Sequence, residues 1–391
     1  PAGVAGAIVS FADYAATWQT SAVTVVPNGT DKIGSVNQNA ILNTQGQSVT
    51  FVFVDSTQGW INTMDSTSNV RGAPPFIQAS VSGACNTLVT APCCANAKIA
   101  TFTGPGSFTV TAAALCAANN IVSHLIVAGG GSGGTGCSGG GAGAGGFREV
   151  KSPITPYTAS PLDGYSTPAN RVTVTAQTYA IVVGGGAPGQ ATAPNSCNSD
   201  GTRGNNSSFG GIISTGGGAG GDGPAGPEGP GGSGGGGGHS SGTAGNGNTP
   251  PVSPAQGFNG RPSQPATGPA PSDAGGAGGG ATAAGTCGSS GHQGGAGATT
   301  SISATPTAYA GGGGGSNRCG GTSGDVAGGA GGGGRGASNP RPRPAFDATG
   351  QNGTDNTGGG GGAGGSLASG GPIGGTGTGG SGIVIIRYKF Q

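Results

Sequence analysis

The chain has 391 residues, 95 of them glycine, with 14 basic and 13 acidic side chains for a net charge of +1. Without a basic excess there is no face to neutralise phosphates, which excludes a nucleic-acid binder; scarce charge also argues against charge-driven disorder. No uninterrupted apolar run reaches the ~20 residues of a membrane-spanning helix, so no membrane insertion is expected.

Residues 1–19 read as an N-terminal arm or donor-like first strand. The chain does not begin with Met, which suggests a processed or trimmed start, and PAGVAGAIVSFADYAA lacks the basic region of a signal peptide. Residues 20–66 read as a small β module: SAVTVV and SVTFVFVD are strands, and PNGTDKIG between them is turn chemistry. Trp60 is expected in its core. Residues 67–127 form a second β module with strands KIATF, GSFTVTA and IVSHLIVA. Phe108 and Val110 alternate with Thr109 and Thr111, so one face is buried and one wet. TAAALCAAN is long enough for only a short helix.

A compositional boundary follows near Ala128. Ten glycines fall in residues 1–120 and 85 in 121–391. Glycine blocks alternate with richer inserts at irregular intervals through 128–391, and a strand over 382–390 closes the chain. A flexible linker is one reading of this half, but structureless stretches of such length are uncommon and strands bracket it. Collagen is excluded because GPAGPEGPG keeps its triplet period for three triplets only. The third reading is a bundle of polyglycine II helices, three residues per turn. There, side-chain-free backbones pack together and bond each other's amides. The residues alone leave the linker and the bundle open.

Cys85, Cys93, Cys94, Cys116, Cys137, Cys197, Cys287 and Cys319 are an even set, which fits disulfides in an oxidising setting. Spacing leaves the pairing open; Cys85 shares a β-rich segment with Cys93, Cys94 and Cys116. There is no C-x-x-C pair and the three histidines are scattered, so no metal is expected. Gly129, Gly131 and Gly134 match G-x-G-x-x-G, as do Gly184, Gly186 and Gly189, but neither set precedes a stretch able to form the helix a dinucleotide needs. No paired carboxylates or nucleophile elbow appear, so neither enzyme activity nor a cofactor is expected. Sequons at Asn28, Asn205, Asn206 and Asn352 carry no functional weight on their own.

Several stretches carry a resemblance to the glycine-rich domain of phage tail-fibre and tail-tip adhesin proteins. They are KIATFTGPGSFTVTAAA, VSHLIVAGGGSGGTGCSGGGAGAGGFREV, YAIVVGGGAPG, NNSSFGGIISTGGGAGG and the closing GGSGIVIIRYKF. NGTDKIGSVNQNAILNTQGQSVTFVFVDSTQGWI resembles a module of such fibres, and together these cover most of residues 20–391. The cysteines and Pro-rich inserts depart from many relatives. With this resemblance the expected fold is an all-β, β-sandwich-like N-terminal portion plus a polyglycine II bundle closed by β-strands, with little or no α-helix.

The resemblance implies an extracellular, virion-surface fibre that binds a host surface glycan or outer-surface protein. Loops at the far end of a glycine bundle would make the contact. It also implies self-association, as a trimer or filament, and contact with other fibre proteins. The inserts 239–273 and 335–356 become the receptor-facing loops. Their candidate contact residues are Phe258, Arg261, Arg335, Arg341, Arg343, Phe346 and Asp347. The alternative is an extracellular filament subunit polymerised by exchange of the N-terminal strand.

Overall fold

The computed structural model describes residues 2–66, 76–92, 96–136, 138–191, 199–223, 229–239, 242–264, 274–286, 292–316, 326–338, 349–365 and 374–391. The chain divides into two units, Pro1–Gly72 and Ala73–Gln391. Among the described residues all regular elements are strands apart from two short 3₁₀ turns, an all-β structure. One of those turns, Ala117–Asn120, stands where the short helix was expected.

The first unit holds β1 (Ile8–Ala12), β2 (Val23–Val25), β3 (Ala40–Leu42), β4 (Ser48–Phe53) and β5 (Trp60–Ser66). Strands β1, β4 and β5 form an antiparallel sheet in that order, and β2 pairs with β3. The alternation in SVTFVF buries Val49, Phe51 and Phe53 together with Trp60 and Leu42. Trp60 thus takes its expected core position, edge-on to Phe53 at 5.4 Å between ring centroids.

In the second unit the strands are β6 (Gln78–Ser82), β7 (Thr87–Thr90), β8 (Ala97–Phe102), β9 (Gly106–Ala112), β10 (Ile121–Val127), β11 (Phe147–Val150), β12 (Val172–Thr173), β13 (Thr178–Ile181), β14 (Ser207–Phe209), β15 (Ile212–Ser214), β16 (Ala298–Thr300), β17 (Thr307–Tyr309) and β18 (Ile383–Lys389). One sheet runs β11-β10-β18-β8-β7, with β12 also on β10; a second runs β13-β9-β6. Phe108 and Val110 on the second sheet bury against Phe102, Ile126, Ile386 and Tyr388 on the first. The other face of the first sheet is buried too: Ile99, Leu125, Ile383 and Ile385 pack on Phe147, Ile302 and Tyr309. Burial on both sides explains why β10 and β18 read as nearly unbroken apolar runs.

The glycine-rich half grows out of these strands as extended segments. Residues 128–135 continue β10, 139–146 lead into β11, and 374–382 lead into β18. Their hydrogen bonds reveal the conformation. The amides of Gly131 and Gly134 bond Gly143 and Gly140; those of Gly129, Ser132 and Thr135 bond Asn205, Thr202 and Ser199; those of Gly130 and Gly133 bond Gly380 and Gly377. Each third residue returns to the same neighbour, which is the signature of three residues per turn. At ~3.1 Å rise, residues 128–135 span about 25 Å.

Segment 139–146 is the buried axis of the bundle. It donates to 215–221, 276–279 and 358–361, and accepts from 131–134, 233–236 and 313–316. Those six neighbours also bond one another around a closed ring, for example Gly217 to Gly129, Gly218 to Ser233, Gly279 to Gly234, Gly278 to Gly313, Gly360 to Gly311 and Gly361 to Gly131. At most of these glycines the packing leaves no room for a side chain. A Cβ on Gly143 would lie 2.2 Å from the Ser233 carbonyl oxygen, whereas one on Gly223 meets nothing within 4 Å among the described residues. Gly143→Ala is expected to cost more than ~3 kcal/mol and Gly223→Ala less than ~0.5 kcal/mol, as read by denaturant unfolding of the full chain.

Candidate functional site

The bundle has two unlike ends. At one, segments join strands. At the other, the described flanks of the connecting spans meet: Thr135 bonds Ser199, Gly364 bonds Gly134, Ser316 bonds Gly139 and Gly275 bonds Ser316. Gln264 with Ala274, Thr286 with Gln293, and Gly365 with Gly374 close the pairs flanking 265–273, 287–291 and 366–373. Polar groups gather at this end. Asp222 follows Gly220 and Gly221 there, and its amide donates to the Asp200 carboxylate at 3.1 Å, while Gln190 Nε2 donates to the Asp200 carbonyl. His292 is buried there, and burial pushes its pKa down.

The strand end carries a second polar group of residues, and it is closed. Glu149 accepts from the Ser160 amide at 2.9 Å and from the Thr300 hydroxyl, and burial raises its pKa. Arg148 donates to Asn170 Oδ1 at 2.7 Å. Arg387, wholly buried, donates to the Pro156 and Ile302 carbonyls and lies over the Tyr157 ring. His124 is buried beside Arg148, and its pKa is pushed down to about 3 by burial first and by that charge second. The space bounded by His124, Arg148, Glu149 and Asn170 is about 10 Å³, room for no more than about one water. This arrangement fixes the loops under the sheet and has no room for a substrate.

The sequence pattern of a glycine-rich domain matches residues 102–389. The chain belongs to that family. The match spans β9 to β18 and so takes in the whole bundle with its bracketing strands. No curated protein sequence matches the chain.

Within this glycine-rich domain, three candidate contact residues are described, and they do not converge. Phe258 and Arg261 lie on an outer segment whose amides bond Gly280 and Ala277. Arg335 lies on another, where its carbonyl accepts from Gln351 and its guanidinium donates to Ser338 at 2.7 Å. All three side chains are exposed. Arg341, Arg343, Phe346 and Asp347 fall outside the described residues.

The insert 239–273, expected as a loop, instead contributes two lattice segments, 242–248 and 256–264, joined at the strand end, where Ser253 accepts from Asn170. Its signal was a local period of three. Gly257, Gly260 and Ser263 are buried, while Phe258, Asn259, Arg261 and Pro262 are exposed. On the rim of the bundle only the inward third of the residues must be small.

The disulfide expectation is corrected for Cys85 and Cys116, which are exposed free thiols. Cys85 sits at φ 62° in the β6–β7 turn, and Cys116 precedes the 3₁₀ turn, so each points into solvent from a different connection. Cys93, Cys94, Cys137, Cys197, Cys287 and Cys319 fall outside the described residues.

The His124 environment sets a pH dependence. Its folded pKa lies below the unfolded value of 6.5, so the unfolded chain binds the extra proton and stability falls as pH drops from 6.5 towards 3. Glu149, with its pKa raised, works in the opposite sense. His124→Gln should therefore flatten the acid limb by on the order of 4 kcal/mol at pH 3, measured as the difference between urea unfolding curves of the two proteins.

Proposed function

We propose that this chain is an extracellular structural and adhesive protein of the phage tail-fibre kind. It binds a host cell surface, through a glycan or an outer-surface protein, with loops held at one end of a rigid glycine scaffold. The observation that carries this reading is the asymmetry of the bundle. One end is locked into a two-sided β core, and the other collects the flanks of spans that differ in length and composition. A scaffold of hydrogen-bonded main chain holds such spans at low entropic cost to binding. Self-association would then multiply weak single contacts. No catalytic role is part of the proposal.

A second reading is a filament subunit polymerised by N-terminal strand exchange. Its support is the position of β1, the first strand, at the edge of its sheet against β4. An edge strand can leave and be replaced with the loss of one ladder.

The adhesive reading is tested by replacing 339–348, which contains Arg341, Arg343, Phe346 and Asp347, with a Gly/Ser stretch of equal length. Binding of labelled full-length protein to a panel of whole bacterial cells should fall by roughly tenfold or more with unchanged thermal stability. Unchanged binding to every cell that the parent protein recognises would count against these residues as contacts. A parent protein that binds none of the panel and grows into filaments would favour strand exchange.

A further inference from the structure

Eight of the thirteen large hydrophobic residues exposed in the described chain lie in the first unit, which holds fewer than a fifth of the residues. They accompany an open sheet edge. In β1 the phase of the ladder is set by Phe53, whose amide bonds Ala7, and by Asp13, whose amide bonds Gln47. With Val9 opposite Phe51 and Phe11 opposite Val49, the odd-numbered residues bond β4. The N–H groups of Ile8, Ser10 and Ala12 and the C=O groups of Ile8 and Ser10 therefore point away from the sheet, while the Ala12 carbonyl accepts from the Tyr14 amide at 3.0 Å.

Natural edges are usually guarded by charge, proline or a covering element. The opposite edge of this sheet, β5, exposes Asp65. The β1 edge is Ile-Val-Ser-Phe-Ala, with no charge and no proline. Beside it a groove of about 470 Å³ opens, walled by Val9, Phe11 and Val25 and floored by Phe51 and Trp60.

We infer that the β1 edge is the contact between two copies of this chain, which pair antiparallel through β1 about a two-fold axis at Ser10. The edge is complementary to itself. In the antiparallel pair Ser10 faces Ser10, each donating to and accepting from the other, and Ile8 faces Ala12, whose amide meets the Ile8 carbonyl. A two-fold axis normal to the sheet keeps the core faces on one side. Phe11 of the second copy then lies beside Val9 at the mouth of the groove and covers it. No charged side chain of β1 lies along the pairing line.

This pairing is closed, unlike strand exchange, which propagates. The test is sedimentation velocity of the full chain over a wide concentration range, with Ser10→Lys and Ser10→Glu variants. Ser10 is exposed and its hydroxyl hydrogen-bonds the Thr50 hydroxyl across the pair at 3.0 Å, a surface interaction, so both variants should keep close to the parent melting temperature. The parent should be a concentration-dependent dimer. Each variant should dimerise roughly tenfold more weakly because like charges meet at the axis, and an equimolar mixture should recover the dimer. A monomeric parent, a trimer or open polymer, or a dimer indifferent to both substitutions would overturn the inference. Should one variant fail to fold, the other still decides between a weakened and an indifferent dimer.

Discussion

A main chain that turns once every three residues sends its amides and its carbonyls in three directions each. A strand in a sheet sends them in two. The first geometry therefore closes a ring of six neighbours around each interior segment, and 139–146 with its six partners realises that ring. The condition is that nothing but hydrogen, or a methyl in the few places with room, projects from the backbone. Ala142 and Ala144 are such places, and both are fully buried. Composition follows from packing. Interior segments are nearly pure glycine, while rim segments need a small residue only at every third position, as at Gly257, Gly260 and Ser263.

Glycine loses more freedom on ordering than any other residue, so such a lattice gains from anchors. The β core supplies them. Strand β10 enters the bundle, β18 leaves it, and the two are antiparallel neighbours through His124–Ile386 and Leu125–Ile385. The first long glycine segment and the last are thereby held side by side by the sheet itself. The two-sided burial of that sheet gives the bundle a fixed base, on which the polar interior around Glu149 and Arg387 acts as internal bracing.

Much of the β portion was legible. The runs around β4, β8, β9, β10 and β18 carry β-branched and aromatic residues with turn chemistry between them, and the Phe108/Val110 alternation gives the buried face directly. The all-β class follows from the strand patterns; backbone accounting leaves the three-residue glycine helix one open reading, which the resemblance to glycine-rich fibre domains favours over a flexible linker. The layout of the rim did not follow. A G-x-x-G spacing inside a Pro-rich insert looks like loop chemistry, and only the neighbours' carbonyls reveal why those glycines are spaced so. Pairing of cysteines was beyond reach for a related reason, since thiols at a turn tip and before a 3₁₀ turn share a segment of sequence without sharing a direction. Of the candidate contact residues, sequence placed Phe258, Arg261 and Arg335 in inserts, whereas their segments belong to the flanks of the bundle.

The adhesive and filament readings both need a stiff body, and both draw it from the same amide lattice. Native-state hydrogen exchange across the glycine segments tests that lattice most directly. Protection throughout 139–146 close to that of β10 and β18, opening only with global unfolding, is the expected result. Exchange of those amides at unstructured-chain rates, with the strands still protected, would contradict it.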